Sequence, residues 1–260
     1  MKIFLTGHNG FIGKNVRKFY SKESIILFQR GQDITDALIR SNPDLIINCA
    51  CEIYDPTKMW GANVDLVSKI IDYCERYSKR LIHFGSSSEY GDSSIPTSES
   101  HPLNGKDVYA TSKKEATLRC LNSHAEIAVI RPYSPYGWGE KPHRLFPRLI
   151  RSFLNNEPMQ LKQGVHDFCY IDDFMQGVDL VIKNNITGPI NISSGIQSTN
   201  MQVLDAFRKC TGASGNVSLI DEMSTPAVWQ CDNTYIKSLG WKPLHDLEQG
   251  ITKLLGLSYE

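Results

Sequence analysis

Apolar and polar positions alternate along the first half of the chain in a way that predicts short buried strands followed by amphipathic helices. Short apolar runs bounded by turn residues place strands near 2–6, 24–29, 44–48, 80–85 and 126–130. Apolar residues recur at helical spacing near 11–21, 57–78 and 107–123. Strands that alternate with helices are typical of a parallel sheet with helices on both faces. We therefore expect an α/β fold with a Rossmann-type, doubly wound parallel sheet.

The alternation of predicted strands and helices becomes less regular after Arg131. Prolines punctuate the region that follows and predict loops and short helices there, at Pro132, Pro135, Pro142, Pro147 and Pro158. We therefore expect residues 1–131 to form the sheet core and residues 132–260 to form mainly a smaller C-terminal lobe, interleaved with the core.

Composition narrows the class of protein. The 260 residues carry 28 basic and 28 acidic side chains, so no overall field attracts nucleic acid or an anionic membrane. No apolar run approaches the roughly 18 residues that a membrane span requires. The seven cysteines lack the paired spacing of a zinc site, and their odd number without a signal peptide predicts reduced thiols. We expect a cytoplasmic protein that binds no metal, nucleic acid or membrane.

A tyrosine and a lysine one helical turn apart carry the first chemical signal. Tyr109 and Lys113 are four residues apart in a predicted helix, so their side chains share one face. An ammonium beside a phenol favours the charged phenolate, and we expect the pKa of Tyr109 to fall from about 10 toward working pH. Such a phenol passes a proton to or from a carbonyl or hydroxyl oxygen. The hydroxyl of Ser86, at the end of an apolar strand, is placed to hold the same oxygen. These groups predict carbonyl/alcohol redox chemistry if a hydride carrier binds nearby.

A glycine-rich turn near the N-terminus predicts where such a carrier binds. The first strand runs directly into Gly7-His8-Asn9-Gly10-Phe11-Ile12-Gly13 and a helical pattern. Glycines at such a turn allow close approach of the backbone to a pyrophosphate, which lies at the helix N-terminus. The spacing is GxxGxxG rather than GxGxxG. We expect a dinucleotide to contact this turn through Gly7, Asn9, Gly10, Phe11, Ile12 and Gly13.

With these motifs the sequence resembles the extended short-chain dehydrogenase/reductase family, in the branch of nucleotide-sugar epimerases, dehydratases and 4-keto reductases. The resemblance runs nearly end to end. Further matching segments are Asn48-Cys49-Ala50, Asn63, Arg131-Pro132-Tyr133-Ser134-Pro135-Tyr136-Gly137, Asp167 to Asp173, Asn191 to Gly195 and Leu239-Gly240-Trp241-Lys242-Pro243. The resemblance implies a Ser86, Tyr109 and Lys113 catalytic set, cofactor contacts from Ala50, Lys113 and Pro132, and a C-terminal lobe that binds substrate.

The choice between NAD and NADP depends on the end of the second strand. Enzymes of this fold that prefer NAD place an acidic residue there, whereas an arginine suits the 2′-phosphate of NADP. This strand runs into Gln29-Arg30-Gly31 with no acid before Asp33. Arg30 therefore favours NADPH, with NAD also compatible, and the alternative is a solvated surface arginine. Asp33 resembles the family segment that contacts adenine.

The residues after Ser86 bear on the reaction. In the family's dehydratases an acid pair follows the triad hydroxyl, and here Ser87 and Ser88 occupy those positions. A serine is a poor general acid, so dehydration is disfavoured unless Glu89 has shifted register. The family's double epimerases have a cysteine at the position of Ser88, and its loss argues against that reaction.

The resemblance also implies substrate contacts from Ser87, Ser88, Ser134, His143, Arg151 and His166. His143 corresponds to a proton-transferring histidine of the family, or is an exposed loop residue. Arg151 matches one arginine of a diphosphate clamp, but His166 replaces a second arginine. The segment Thr225 to Asp232 contains no basic residue at the third position. The clamp therefore has fewer arginines than is usual in the family, which suits an unusual nucleotide sugar or a smaller anionic group.

Together these features predict a reductase that uses NADPH to reduce a keto group, at C4 of a nucleotide-linked deoxy sugar, in surface-polysaccharide biosynthesis. One alternative is an epimerase that retains NAD. An alternative of another class is a non-catalytic dinucleotide-binding protein. The resemblance further implies a homodimer formed through the helix that carries Tyr109 and Lys113.

Overall fold

The computed structural model describes residues 1–223 and 227–256, which divide into two compact units. Unit 1 consists of Met1–Gly91, Glu99–Pro132 and Val178–Asn191. Unit 2 consists of Asp92–Ser98, Tyr133–Gly177 and the described residues from Ile192 onward.

The strands and helices of the described residues alternate along the chain. The strands are β1 Lys2–Thr6, β2 Ser24–Leu27, β3 Leu45–Asn48, β4 Arg80–Phe84, β5 Ile127–Pro132, β6 Ser134–Tyr136, β7 Met159–Gln163, β8 Val165–Tyr170, β9 Gly188–Ile192, β10 Gln197–Thr199 and β11 Val217–Met223. The α-helices are α1 Phe11–Phe19, α2 Ile34–Ser41, α3 Pro56–Trp60, α4 Leu66–Tyr77, α5 Val108–Leu121, α6 Leu145–Leu154, α7 Ile171–Lys183, α8 Asn200–Thr211, α9 Thr234–Ser238 and α10 Leu247–Leu254.

The sheet of unit 1 has the order β2-β1-β3-β4-β5-β9, and the pairs from β2 through β5 are parallel. This confirms the predicted doubly wound α/β fold. In the common dinucleotide-binding order a further strand lies outside the second one. Here β2 is the edge strand, and the chain passes from it to α2 through residues 28–33 alone.

The core of unit 1 lies between the sheet and the helices that cover one face. Apolar side chains of β1, β3, β4 and β5 pack there against α2, α4 and α5, including Phe4, Ile46, Leu81, Val129, Leu38, Ile70 and Ala116. Each of these side chains is at most 1% exposed. The packing fixes the carboxyl ends of the strands, where ligands bind in folds of this kind.

The elements differ from the sequence prediction at three places. Helix α2 was not predicted, and the helix expected near 57–78 is divided by a π-helical turn at Gly61–Asp65. The expectation of short helices after Arg131 holds for α9 and α10, which have 5 and 8 residues, but is wrong for α7 and α8, which have 13 and 12. The five prolines named above all precede α7, and Pro147, the one within a helix, lies in the first turn of α6, where it does not interrupt the backbone hydrogen bonds.

Unit 2 contains two small sheets. Strand β8 pairs in parallel with β6 and antiparallel with β10, while β7 pairs in parallel with β11. Tyr136 of β6 stacks on Phe146 of α6 with ring centroids 4.0 Å apart. The two sheets and helices α6 and α8 surround the cavities described below.

Candidate active site

The glycine turn of unit 1 is shaped for close approach of a ligand. Gly7 has φ 65°, and a Cβ there would lie 2.4 Å from the carbonyl carbon of Cys49. A Cβ on Gly13 would lie 2.2 Å from the Gly7 oxygen, so neither position accepts a side chain. Helix α1 begins at Phe11 after Gly10, and no side chain caps it. Its first amide groups therefore suit an anion such as a pyrophosphate.

The other residues expected to contact the cofactor lie near the carboxyl ends of neighbouring strands. Asn9 is exposed, and Phe11 and Ile12 are half-buried in the same turn. Ala50 follows β3, and its N–H donates to Thr6 Oγ1 at 3.2 Å. Pro132 is the last residue of β5. The geometry thus fits the dinucleotide that the sequence predicts.

Arg30 and Asp33 lie in the short link between β2 and α2. The Arg30 side chain is exposed. Asp33 caps α2, accepting a hydrogen bond from Asp36 N at 2.9 Å, and this bond is the main cause of a lowered pKa of its carboxyl. The Asp33 carboxylate is thus engaged by its own helix, and the link offers a ligand the cation of Arg30.

Ser86 follows β4 and begins a single 3₁₀ turn, Ser87–Tyr90. Its Oγ accepts from Ser88 N at 3.1 Å, while Glu89 accepts from Ser86 N at 2.7 Å. This reciprocal capping box holds the hydroxyl of Ser86 in place. Ser86 is 7% exposed.

Tyr109 and Lys113 lie one turn apart at the start of α5, which Asp107 caps by accepting from Ala110 N at 2.8 Å. The Ser86 hydroxyl hydrogen-bonds to the Tyr109 phenol, so the turn and the helix meet at this oxygen. Lys113 is 2% exposed, and its Nζ donates to the main-chain oxygen of Phe84, the last residue of β4. Ser86 and Tyr109 are thus brought together, and Lys113 lies one helical turn from Tyr109 with its ammonium on the Phe84 oxygen.

The expected fall in the pKa of Tyr109 is wrong for the protein groups alone. Burial of the phenol raises its pKa above the ordinary value, and the neighbouring Cys51 raises it further. The hydrogen bond from Ser86 lowers it, but not enough to offset burial. The Lys113 ammonium is directed instead to the Phe84 carbonyl. Tyr109 is therefore a neutral phenol in this environment.

Asn63 ties the π-helical turn to the catalytic helix. Its Nδ2 donates to Ser112 Oγ at 2.9 Å, next to Lys113, and to the Glu52 oxygen at 3.0 Å. Its Oδ1 accepts from Glu52 N at 2.8 Å. Asn63 is fully buried, so these bonds satisfy an amide that would otherwise be costly to bury. They also fix the segment after β3 against α5.

Glu89 has not shifted into the position of a catalytic acid. Its side chain is fully buried, and its Oε2 accepts from Arg131 Nε at 2.9 Å. Arg131, also buried, donates to the Tyr90 hydroxyl at 2.9 Å and lies over the Tyr90 ring. The positions after Ser86 therefore present only the hydroxyls of Ser87, which is buried, and Ser88, which is half-buried.

Unit 2 contains a polar cavity of about 420 Å³. Three of the predicted substrate residues line it, namely Ser134, His143 and His166. Its wall also includes the cationic side chains of Arg144, Arg148 and Lys162, which the sequence prediction missed. Arg144 and Arg148 are one helical turn apart, and this spacing was the available signal. The cavity therefore suits an anionic ligand.

Two titratable side chains in this cavity have perturbed pKa values. Burial lowers the pKa of His166 to about 4, and the nearby Arg144 lowers it further, so the imidazole is neutral at pH 7. His166 Nδ1 lies 3.2 Å from Ser134 Oγ. Burial raises the pKa of Glu140 to about 7, against the opposing effects of the Gly137 N–H and Arg144. Glu140 thus changes charge near neutral pH.

Arg151 is placed differently from the other predicted substrate residues. Its Nε donates to Glu157 at 2.9 Å, and it is not among the residues that line the cavity. The third clamp position was assigned to the segment from Thr225 to Asp232. Its first two residues, Thr225 and Pro226, lie outside the described residues. The cations of the cavity wall are therefore Arg144, Arg148 and Lys162 rather than the predicted arginine.

Residues 1–223 and 227–256 contain no helix long and apolar enough to cross a membrane. Nor do these residues contain a group of three or more His, Cys, Asp or Glu side chains suited to a metal ion. The homodimer expected through α5 stays a prediction.

The chain is similar to known proteins both in sequence and in fold. A family model described as "NAD dependent epimerase/dehydratase family" matches residues 3–193. UDP-glucuronic acid decarboxylase 3 of Arabidopsis thaliana is 24% identical over 94% of this chain and 78% of its own length. dTDP-6-deoxy-L-talose 4-dehydrogenase (NAD(P)(+)) of Kitasatospora kifunensis is 25% identical over 85% of this chain and 77% of its own length. A solved structure of UDP-glucuronic acid 4-epimerase from Bacillus cereus, with UDP-glucuronic acid and NAD, has a TM-score of 0.87, 22% identity and 98% coverage of both chains.

Proposed function

We propose a reaction for this chain, which belongs to the NAD-dependent epimerase/dehydratase family, within the extended short-chain dehydrogenases/reductases, and is an enzyme of the NAD(P)-dependent oxidoreductase type. From that membership we propose that it reduces a keto group, at C4 of a nucleotide-linked deoxy sugar, with NADPH as donor. The bound cofactor supplies the hydride. The chain's own residues bind the substrate, orient its carbonyl and deliver the proton.

The observation that carries the proposal is the absence of an available carboxylate in the described turn after Ser86. Dehydration requires a group that adds and removes protons at carbons beside the carbonyl. The turn offers two serine hydroxyls, and the carboxylate of Glu89 already accepts hydrogen bonds from Arg131 and from Ser86 N. The groups present support hydride and proton transfer at a single carbon, as in a reductase or a C4 epimerase.

The electrostatics of Tyr109 favour the direction of reduction. Reduction of a ketone generates an alkoxide that must take a proton, and a neutral phenol is the group required. Burial keeps the pKa of Tyr109 raised, so its proton is in place before the reaction. Ser86 hydrogen-bonds to that phenol and orients the carbonyl oxygen. Lys113, whose ammonium binds the Phe84 carbonyl, would hold the nicotinamide ribose.

The link after β2 supports NADPH. Asp33 is engaged in capping α2, and Arg30 presents an exposed cation in the same short segment. A guanidinium binds phosphate oxygens in a bidentate manner, which suits the 2′-phosphate that distinguishes NADPH from NADH. The relative from Kitasatospora kifunensis, named as a 4-dehydrogenase that uses NAD(P)(+), supports redox chemistry at C4 with either cofactor.

The cavity of unit 2 supports a nucleotide sugar. Arg144, Arg148 and Lys162 offer positive charge for a diphosphate, in place of the thinned family clamp. Relatives named for UDP-linked and dTDP-linked sugars are consistent with such a ligand. Surface-polysaccharide biosynthesis is the corresponding pathway class.

The second candidate is an epimerase that retains NAD. The Bacillus cereus neighbour, solved with NAD and UDP-glucuronic acid, favours it. An epimerase must first remove a proton from the substrate hydroxyl, and the protein groups around Tyr109 do not by themselves lower its pKa for that step. The third candidate, a non-catalytic dinucleotide-binding protein, does not require the contact of Ser86 with Tyr109.

The test separates all three candidates. Freshly purified protein is denatured and the supernatant analysed for released nucleotide, and thermal shifts are measured with NADPH and NADH. We expect an empty protein stabilised more by NADPH, with the preference lost in Arg30→Ala and kept in the control Arg40→Ala, an exposed arginine of α2. Released NAD without an NADPH preference would favour the epimerase. NADPH binding without oxidation by any 4-keto nucleotide sugar would favour the binding protein.

A further inference from the structure

Asn200, the first residue of α8, holds a buried acceptor with no partner. It is 6% exposed, and its side-chain oxygen, Oδ1, has no hydrogen-bond partner. An unpaired polar atom of this kind is costly in a folded protein and calls for an explanation. Such an atom is satisfied when a ligand supplies the missing donor.

The orientation of this amide is fixed by its other contacts. Asn200 Nδ2 donates to the Lys162 oxygen at 3.0 Å, and Asn200 N donates to the Gly164 oxygen at 2.9 Å. Thr199 and Gln202 form a capping box that holds the start of α8. A flipped amide would bring Oδ1 against the Lys162 carbonyl, two acceptors together, so the contacts select the observed orientation. The free atom is therefore an acceptor.

Asn200 lies where two cavities of unit 2 adjoin. It lines the cationic cavity of about 420 Å³ and also a groove of about 390 Å³. The two share Leu161, Lys162, Asn200 and Ile220. The groove is walled largely by apolar side chains, including Val165, Met201, Leu219 and Met223. A ligand that is anionic at one end and flat and apolar at the other fits this pair.

A nucleotide has this distribution of chemistry. Its diphosphate suits the cationic cavity, and the faces of its base suit the groove. Phosphate oxygens are acceptors and cannot satisfy Asn200 Oδ1, whereas the edge of a nucleobase carries an N–H. We propose that Asn200 Oδ1 accepts a hydrogen bond from an N–H of the substrate's nucleobase and thereby selects the base. This inference rests on the proposed nucleotide-sugar function.

The test compares ligands with and without a base. Titration calorimetry on the full chain measures UDP, dTDP, CDP, GDP, ADP, ribose 5-diphosphate and inorganic pyrophosphate. For wild-type protein we expect one diphosphate to bind at least 10-fold more tightly than ribose 5-diphosphate. In Asn200→Leu this ratio falls about 10-fold, while ribose 5-diphosphate and pyrophosphate bind as before. The control Asn184→Leu changes an exposed amide and leaves every affinity unchanged.

A second variant separates the acceptor from the anchor to Lys162. Asn200→Asp keeps an acceptor oxygen and loses the Nδ2 donor, so the ratio is retained even if the added charge weakens all anions. An unchanged ratio in Asn200→Leu, an equal loss in Asn200→Asp, or an equal loss for ribose 5-diphosphate would each overturn the proposal. If wild-type protein binds none of the nucleoside diphosphates, the proposed function itself fails, which is a distinct result.

Discussion

Glu140 should make the stability of this protein fall as the solution becomes alkaline. Its carboxyl, half-buried beside the cationic cavity, has a pKa raised from 4.5 to about 7 by burial. A raised folded-state pKa means that the folded protein binds the proton more tightly than the unfolded chain. The stabilisation is therefore fully present below pH 4.5 and is lost as pH rises through about 7.

The size of the effect follows from the two pKa values. Between them the free energy of unfolding changes by about 1.4 kcal/mol per pH unit, so the total approaches about 3 kcal/mol. Partial exposure of the side chain reduces this, and we expect about 2–3 kcal/mol. Glu140→Gln stays neutral at every pH and lacks this contribution to the pH dependence.

The assay is urea denaturation of wild type and Glu140→Gln from pH 5 to pH 9. The difference between the two proteins removes the titration of all other groups, including His166. We expect Glu140→Gln to gain on wild type as pH rises, with the gain levelling off above about pH 7.5. A difference independent of pH would refute the assignment of a raised pKa to Glu140. The affinity of the wild-type protein for pyrophosphate, relative to that of Glu140→Gln, should fall over the same pH range, because ionised Glu140 adds negative charge to the cavity.

Two further substitutions test the catalytic unit. Tyr109→Phe should reduce turnover by about 100-fold or more, because the proton donor is lost, while NADPH binding should stay nearly unchanged. Steady-state kinetics measures the turnover and calorimetry measures the binding. A largely retained rate would exclude Tyr109 as the donor. Glu89→Gln should lower the free energy of unfolding by about 3–5 kcal/mol, because the Arg131 charge stays buried without its partner. Urea denaturation checks this against Glu115→Gln, which breaks the exposed pair with Arg119 and should cost at most about 0.5 kcal/mol. Equal losses in the two variants would contradict the reasoning.

Local patterns in the sequence were sufficient for much of unit 1. Strands β1 to β5, the glycine turn and the spacing of Tyr109 and Lys113 depend on neighbouring residues, and each was predicted within a few positions, whereas strand β9 was not predicted. Helix α2 was missed because it is only 8 residues long and follows a link with no strand of its own. The π-helical turn depends on the bonds of Asn63 to Ser112 and Glu52, which the periodicity of apolar residues cannot reveal.

The electrostatic predictions failed where burial outweighed pairwise charge. The spacing of Tyr109 and Lys113 places the two residues one turn apart on α5, but it could not reveal that the ammonium binds the Phe84 carbonyl. Nor could spacing reveal the desolvation that raises the pKa of Tyr109. In unit 2 the three charges come from separate elements. Arg144 lies just before α6, Arg148 lies within α6, and Lys162 lies in β7. Only the folded chain shows that they share a cavity.

The acceptor that holds Lys113 is a main-chain oxygen, and this has a consequence for how the site can evolve. Any residue at position 84 that keeps β4 in its register presents the same carbonyl, so the ammonium does not depend on the identity of a second side chain. Mutational drift at position 84 is then limited by packing alone. A pairwise covariation signal between positions 84 and 113 should be absent among descendants of this chain, although the two residues are in direct contact.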